Sequence, residues 1–179
     1  MQLRTSSEKQ TFHDELRASL SDYRARRGFN AAHAIEAKTC LINGYFKKHG
    51  LSGAVIAVSG GIDSAVTLAL VAHASRAIGS PIKKILPVTL PVFTTNGVTG
   101  QHEAAHLAAL AARACGTEPY TIDLSASFQT LRTAIESATG RTGEAWAQGQ
   151  LAPYLRTPTL YYLTSLLTQE GIPAVVCGT

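Results

Sequence analysis

The sequence predicts an α/β protein: a doubly wound parallel sheet with helices on both faces. Three observations lead there. The runs Ala54-Val55-Ile56-Ala57-Val58, Ile85-Leu86-Pro87-Val88-Thr89-Leu90 and Ala174-Val175-Val176-Cys177 are short and continuously apolar rather than alternating, as expected of strands buried on both faces. Segments of helix length and helical apolar spacing separate them, which is the connection parallel strands require. A glycine turn, Ser59-Gly60-Gly61, joins the first strand directly to a helix.

Taken in order, residues 1–11 are polar and unpatterned and are expected to fray. Phe12, Leu16, Leu20 and Tyr23 mark a helix ending near Arg26-Arg27-Gly28, so residues 1–29 read as a tail and helix preceding an α/β domain over 30–179. Asn30 is placed to cap a second helix. Its residues Ala31, Ala34, Ile35, Leu41, Ile42, Tyr45 and Phe46 keep to one face until the basic last turn Lys47-Lys48-His49 and the stop at Gly50. In the second strand Pro87 argues against a fully central position, because it cannot donate to a ladder. Thr99 is expected to open a helix over Gly100 to Cys115, Tyr120 to Leu124 to form a third strand, and Ser125 to cap a helix running to Gly140. Residues 140–149 read as loop, and Leu160 to Thr168 as a helix with Pro158 in its first turn. The last apolar run is the fourth strand. Ligands of such sheets bind at the carboxyl ends of the strands, where Ser59, Leu90 and Gly178 fall.

The chemistry concentrates in the turn after the first strand. Ile62, Ala65, Val66, Ala69 and Leu70 recur at helical spacing, so a helix begins at Ile62. Gly60 and Gly61 let backbone approach a ligand closely, and the first amides of that helix lack intrahelical acceptors. With the positive end of the helix dipole they form a phosphate site, to which Ser59 and Ser64 add hydroxyls. Asp63 points to a metal: a carboxylate beside phosphates repels them unless a divalent cation lies between, so Asp63 reads as a magnesium ligand. A Walker loop would need a lysine that is absent, and a dinucleotide fingerprint a third glycine that is absent.

Composition bounds the rest. With 179 residues, 45% hydrophobic and 16% charged, the chain suits one globular domain, and a net charge of +4 without a dense basic run gives no nucleic-acid or acidic-membrane surface. No apolar stretch is long enough for a membrane span and no signal sequence opens the chain, so a cytoplasmic location is expected. Cys40, Cys115 and Cys177 fit neither a disulfide framework nor a zinc ribbon and are expected to be buried thiols. His102-Glu103-Ala104-Ala105-His106 matches the HExxH zinc pattern, but such matches arise by chance in alanine-rich helices. No third histidine follows, so this helix is expected to pack through Ala105, Leu107 and Leu110 with its imidazoles at the surface and no zinc.

The string SGGIDS at 59–64 resembles the SGGxDS loop of the N-type ATP pyrophosphatases, whose fold is that of the adenine nucleotide alpha hydrolases. Together with Leu90-Pro91, Gly149-Gln150-Leu151 leading to Arg156, Leu160-Tyr161-Tyr162 and Val175-Val176-Cys177-Gly178-Thr179, it resembles NAD synthetase from about Ala31 to the last residue. That resemblance implies an ammonia-dependent ligase acting in two steps. ATP and the carboxylate of deamido-NAD give an acyl adenylate and pyrophosphate, and ammonia then releases NAD and AMP. It implies that Ser59, Gly60, Gly61, Asp63, Ser64, Leu90 and Thr179 surround ATP and its pyrophosphate, that Arg156 contacts the substrate, and that the protein is a homodimer.

Two departures stand out. The family's GN-x-x-AR-x-R segment appears as Gly149-Gln150-Leu151-Ala152-Pro153-Tyr154-Leu155-Arg156, with Tyr154 for its first arginine. In the family, further chain carrying a second acidic metal ligand follows the Gly-Thr pair. The domain is therefore expected to be incomplete at its C-terminus, to bind nucleotide weakly and not to complete the reaction as it stands. Two other functions fit the loop: a different ATP pyrophosphatase, adenylating a tRNA base or another acid, and a non-catalytic nucleotide-binding protein.

Overall fold

The strand β1, Gly53–Ala57, is the axis of the fold, and the alternation of its side chains divides the core in two. A computed structural model describes residues 6–93 and 101–178 of the chain. Ala54, Ile56 and Val58 enter one cluster with Phe46, Leu68, Val71, Ala108 and Ala112; Val55 enters the other with Leu86, Val88, Phe128 and Leu167. The first cluster is roofed by residues 39–48 of helix α2 (Ala31–Lys48), by α3 (Ile62–Ser75) and by α4 (Gln101–Ala114), the second by α5 (Ser125–Thr139) and α6 (Ala145–Gln169). Helices thus cover both faces of a parallel sheet, which is what the unbroken apolar strands require.

The sheet also contains β2 (Lys84–Thr89), β3 (Tyr120–Thr121) and β4 (Ala174–Val176), in the order β3-β2-β1-β4 with every pairing parallel. The chain winds outward from β1 through β2 to β3 and then returns to the far side of β1, so the order reverses at the carboxyl end of β1. That reversal opens the crevice in which ligands of open α/β sheets bind.

Residues 1–38 and 39–179 form two units. In the first, helix α1 runs from Ser6 to Arg26, so residues 6–11 are helical rather than frayed; Glu8, Lys9 and Gln10 are good helix formers. Arg26 ion-pairs with Asp22, and Arg27 donates to the Tyr23 hydroxyl at 2.6 Å. Asn30 caps α2 as expected, its Oδ1 accepting the His33 amide at 3.1 Å.

Several sequence expectations are corrected in the second unit. Pro87 lies in an interior strand, between β1 and β3. Val58 N donates to Val88 O, so by alternation the nitrogen of Pro87 faces the β3 side, below the point where β3 begins opposite Val88, and no ladder bond is lost. The third strand spans two residues instead of five. Ser125 is the first residue of α5 and Leu124 its N-cap, while Asp123 Oδ1 accepts the Ser125 amide at 2.8 Å; the hydroxyl and then the amide of Ser125 hold this exposed carboxyl below its ordinary value. Leu41 and Tyr45 of α2 are exposed, and only Phe46 of that stripe is buried. The start of α4 expected at Thr99 and Gly100 lies outside the described residues.

The largest correction is α6, which begins at Ala145 and runs through Pro153 and Pro158. Each proline removes one helical hydrogen bond and opposes continuation. The helix persists because Leu151, Leu155, Leu160, Leu163 and Leu167, at helical spacing, pack on the sheet face of Val55 and Leu86.

Candidate functional site

The turn between β1 and α3 is built from its own hydroxyls. Gly61 is the N-cap of α3, with φ −85°, ψ 162° and no capping side chain, so the first amides of the helix remain open. Ser64 is buried; its Oγ donates to Gly61 O at 3.0 Å and accepts the Ser59 amide at 3.1 Å. Ser59 Oγ lies 3.1 Å from Ser64 Oγ and accepts the Gly61 amide at 3.3 Å. With the Ser64 proton directed at Gly61 O, Ser59 is the donor to Ser64. In this arrangement Ser64 shapes the turn from within, and Ser59 is the more exposed hydroxyl. The amides of Ile62 and Asp63 have no acceptor among the described residues, which is the donor arrangement that attracts phosphate.

Gly60 has a role that composition could not reveal. Its φ is +82°, and a Cβ there would sit 2.5 Å from Ala104 O and 2.9 Å from Ala104 Cα. The glycine thus admits the backbone of α4 against the turn. Gly61 differs: its φ suits any residue, and a Cβ would meet only Ser59 Oγ, at 3.4 Å.

Asp63 stands exposed in the first turn of α3, without a hydrogen bond or ion pair among the described residues. One free carboxylate beside a phosphate cradle fits magnesium, which is held by one or two carboxylates together with phosphate oxygens and water. Beside the turn, at the carboxyl ends of β1 and β2, lies a cavity of about 180 Å³ lined by Ser59, Thr89, Leu90, Gln101, Ala105 and Arg156 among others. Arg156 of α6 reaches it, its Nε donating to Leu90 O at 3.1 Å, and is the one cation among the described residues that line it. Leu90 itself is buried, and its carbonyl is already engaged by that bond. Of the residues singled out in sequence, Ser59, Leu90 and Arg156 line this cavity and Gly60, Gly61, Asp63 and Ser64 adjoin it in the turn. Thr179 lies outside the described residues.

Sequence reasoning missed the wall formed by the start of α4. Gln101 Oε1 accepts the Val92 amide at 2.7 Å and ties α4 to the end of β2. The expected apolar seam of α4 is also corrected: Leu107 and Leu110 are exposed, and the helix packs instead through Ala108 and Ala112, whose small side chains permit close approach. His102 and His106 are exposed, and His102 stacks on Phe93 with ring centroids 4.3 Å apart. Among the described residues no group of three or more His, Cys, Asp or Glu is placed to hold a metal. Cys40 is exposed rather than buried; Cys115 and Cys177 are half-buried, and burial pushes both thiols up. No helix among the described residues is long and apolar enough to cross a membrane.

Comparison with known proteins agrees with this fold. A family model described as NAD synthase matches residues 34–176. Among solved structures, the chain is similar to the NAD+ synthetase of Burkholderia pseudomallei, at 21% identity and a TM-score of 0.64, covering 83% of this chain and 61% of that one. It is similar to the NMN synthetase of Francisella tularensis, at 22% and 0.61, covering 83% and 53%. It is similar also to the NH3-dependent NAD synthetase of Campylobacter jejuni, at 19% and 0.60, covering 83% and 56%. The chain therefore spans less than two thirds of the length of these structures, and at such identities the likeness is one of fold. No curated protein sequence matches.

Proposed function

Since the chain belongs to the NAD synthase family, we propose that it carries the ATP site of an ammonia-dependent ligase that amidates deamido-NAD to NAD in the cytoplasm. The observation that carries this reading is the joining of two features at one end of the sheet. Open amides at Ile62 and Asp63 suit phosphates, and the adjoining cavity with Arg156 suits the rest of an anionic nucleotide.

In the first step a carboxylate oxygen of deamido-NAD attacks the α-phosphorus of ATP. The bond from that phosphorus to the oxygen bridging to the β-phosphorus breaks, and pyrophosphate leaves. The turn's contribution is positional and electrostatic: the amides after Gly61 hold the departing pyrophosphate, and Ser59 adds a hydroxyl once its contact to Ser64 is exchanged for phosphate. Asp63 would hold magnesium, which when bound neutralises the phosphate charge. In the second step ammonia adds to the acyl carbon, the carbon–oxygen bond to AMP breaks, one proton is lost to solvent, and NAD and AMP are released. Incubating the chain, and any longer form its source encodes, with ATP, magnesium, ammonia and deamido-NAD tests the reading. NAD and AMP in equal amounts are expected from the longer form, and little or none from the chain as it stands; ATP cleavage by the longer form without NAD, or no ATP cleavage by it, would contradict the reading.

The Asp63 role makes a distinct prediction. Asp63→Asn is expected to weaken ATP binding strongly when magnesium is present and far less when it is absent, as calorimetry in the two buffers would show. Equal losses in both would remove the metal from the account.

We also propose that the protein acts as a homodimer. Trp146, Tyr154 and Tyr161 of α6 are 78%, 66% and 62% exposed, and their spacing of eight and seven residues sets them on one helical face. Aromatic residues exposed in such a row favour an interface over solvent. Sedimentation should show a dimer that Tyr154→Glu with Tyr161→Glu converts to monomer; a monomeric parent chain would contradict the assignment.

A further inference from the structure

At the opposite end of the sheet, where β2 and β3 begin, a second cavity of about 270 Å³ opens between the ends of α3 and α4. Its lining includes Arg76, Lys83, Lys84, Cys115, Glu118 and Tyr120. Three cations and one carboxylate thus share its lining, and none of the cations is within ion-pair distance of any carboxylate among the described residues. Glu118 accepts instead from the Tyr120 hydroxyl at 3.2 Å. The Cys115 thiol adds no opposing charge: burial pushes it up, outweighing the pull of the Arg76 guanidinium, so it stays protonated at neutral pH.

Part of this charge has a structural use. The guanidinium of Arg76 donates to Cys115 O just past the last turn of α4, where cations offset the helix dipole. Lys83 and Lys84 lie on no helix, so helix ends do not account for them. Their backbone is fixed, both amides donating to Ser52 O at 2.8 and 3.1 Å. The two lysines therefore line the cavity from anchored backbone positions, together with a guanidinium held by its own hydrogen bond.

We propose that this cavity is a second anion site, for inorganic phosphate or a small phosphomonoester. A volume of about 270 Å³ lies below the range of roughly 300–1,000 Å³ that drug-sized ligands occupy, so a single phosphate with a small substituent suits it better than a whole nucleotide. The phosphate turn cannot account for such binding: the six residues of β2 separate the two ends of the sheet by about 20 Å.

The test is a titration of the isotopically labelled chain with inorganic phosphate, chloride being lowered to hold ionic strength constant, followed by amide resonances. Saturable shifts at Gly116, Thr117 and Glu118 are expected. Lys83→Ala with Lys84→Ala, both at exposed positions, should weaken that binding by about tenfold or more while shifts at Gly60 and Gly61 persist, and arginine at both positions should restore it. The proposal is overturned if the parent chain shows no saturable shift at 116–118, if chloride alone reproduces it, or if the alanine variant binds as tightly as the parent. Each overturning outcome is read at 116–118 and is independent of whether the turn after β1 binds ATP.

Discussion

Gly61→Val is expected to weaken binding of magnesium ATP by about a hundredfold or more, a loss of about 3 kcal/mol, while leaving the fold intact. The fold should survive because Gly61 already has the extended geometry of an ordinary N-cap, and an added Cβ meets nothing closer than Ser59 Oγ at 3.4 Å. Binding should fail because the isopropyl group would occupy the space over the open amides of Ile62 and Asp63, exactly where phosphate oxygens must approach to within hydrogen-bond distance. Calorimetry for affinity, with a thermal melt for stability, separates the two effects. Undiminished affinity would remove the phosphate site from this turn.

Gly60→Ala is expected to do the reverse and act first on stability, lowering it by about 3 kcal/mol. Two costs combine. An L-residue at φ +82° is strained, and its Cβ would meet the Ala104 backbone at 2.5 Å, a contact relieved only by moving α4. Because α4 also packs through Ala108 and Ala112 into the core, the displacement spreads beyond the turn. Denaturant unfolding of the variant measures the loss; a stability within about 0.5 kcal/mol of the parent would mean that α4 is not held by this contact.

These adjacent glycines show what could be read from sequence. The run 54–58 and the helical spacing from Ile62 are local signals, and β1 and α3 appear where they point. The alternation that sends Ile56 to one face and Val55 to the other follows from strand geometry alone, which is why two-sided cover by helices was foreseeable. Contacts between distant segments were not. Nothing near Gly60 in sequence announces Ala104, nothing near Leu90 announces Arg156, and the two hydroxyls of Ser59 and Ser64 are alike until the folded turn buries one of them. In α6 the sequence pattern puts Pro158 in a first turn, but tertiary packing carries the helix through it and through Pro153, because five leucines on the sheet are worth more than two lost hydrogen bonds.

The same distinction applies to α4. Its leucines look like the natural seam, yet the helix turns its alanines inward, since close approach to β2 and to the Gly60 turn leaves no room for larger side chains. That tight fit brings Gln101 and Ala105 to the cavity wall and makes the start of α4 part of the candidate site.

The central claim is that phosphates bind on the turn between β1 and α3. The most direct measurement is a titration of the isotopically labelled chain with magnesium ATP, read at individual backbone amides. The account predicts the largest shifts at Gly60, Gly61, Ile62 and Asp63, with smaller ones at Ser59 and Leu90. Shifts confined to other parts of the chain, or the same pattern in Gly61→Val, would contradict it.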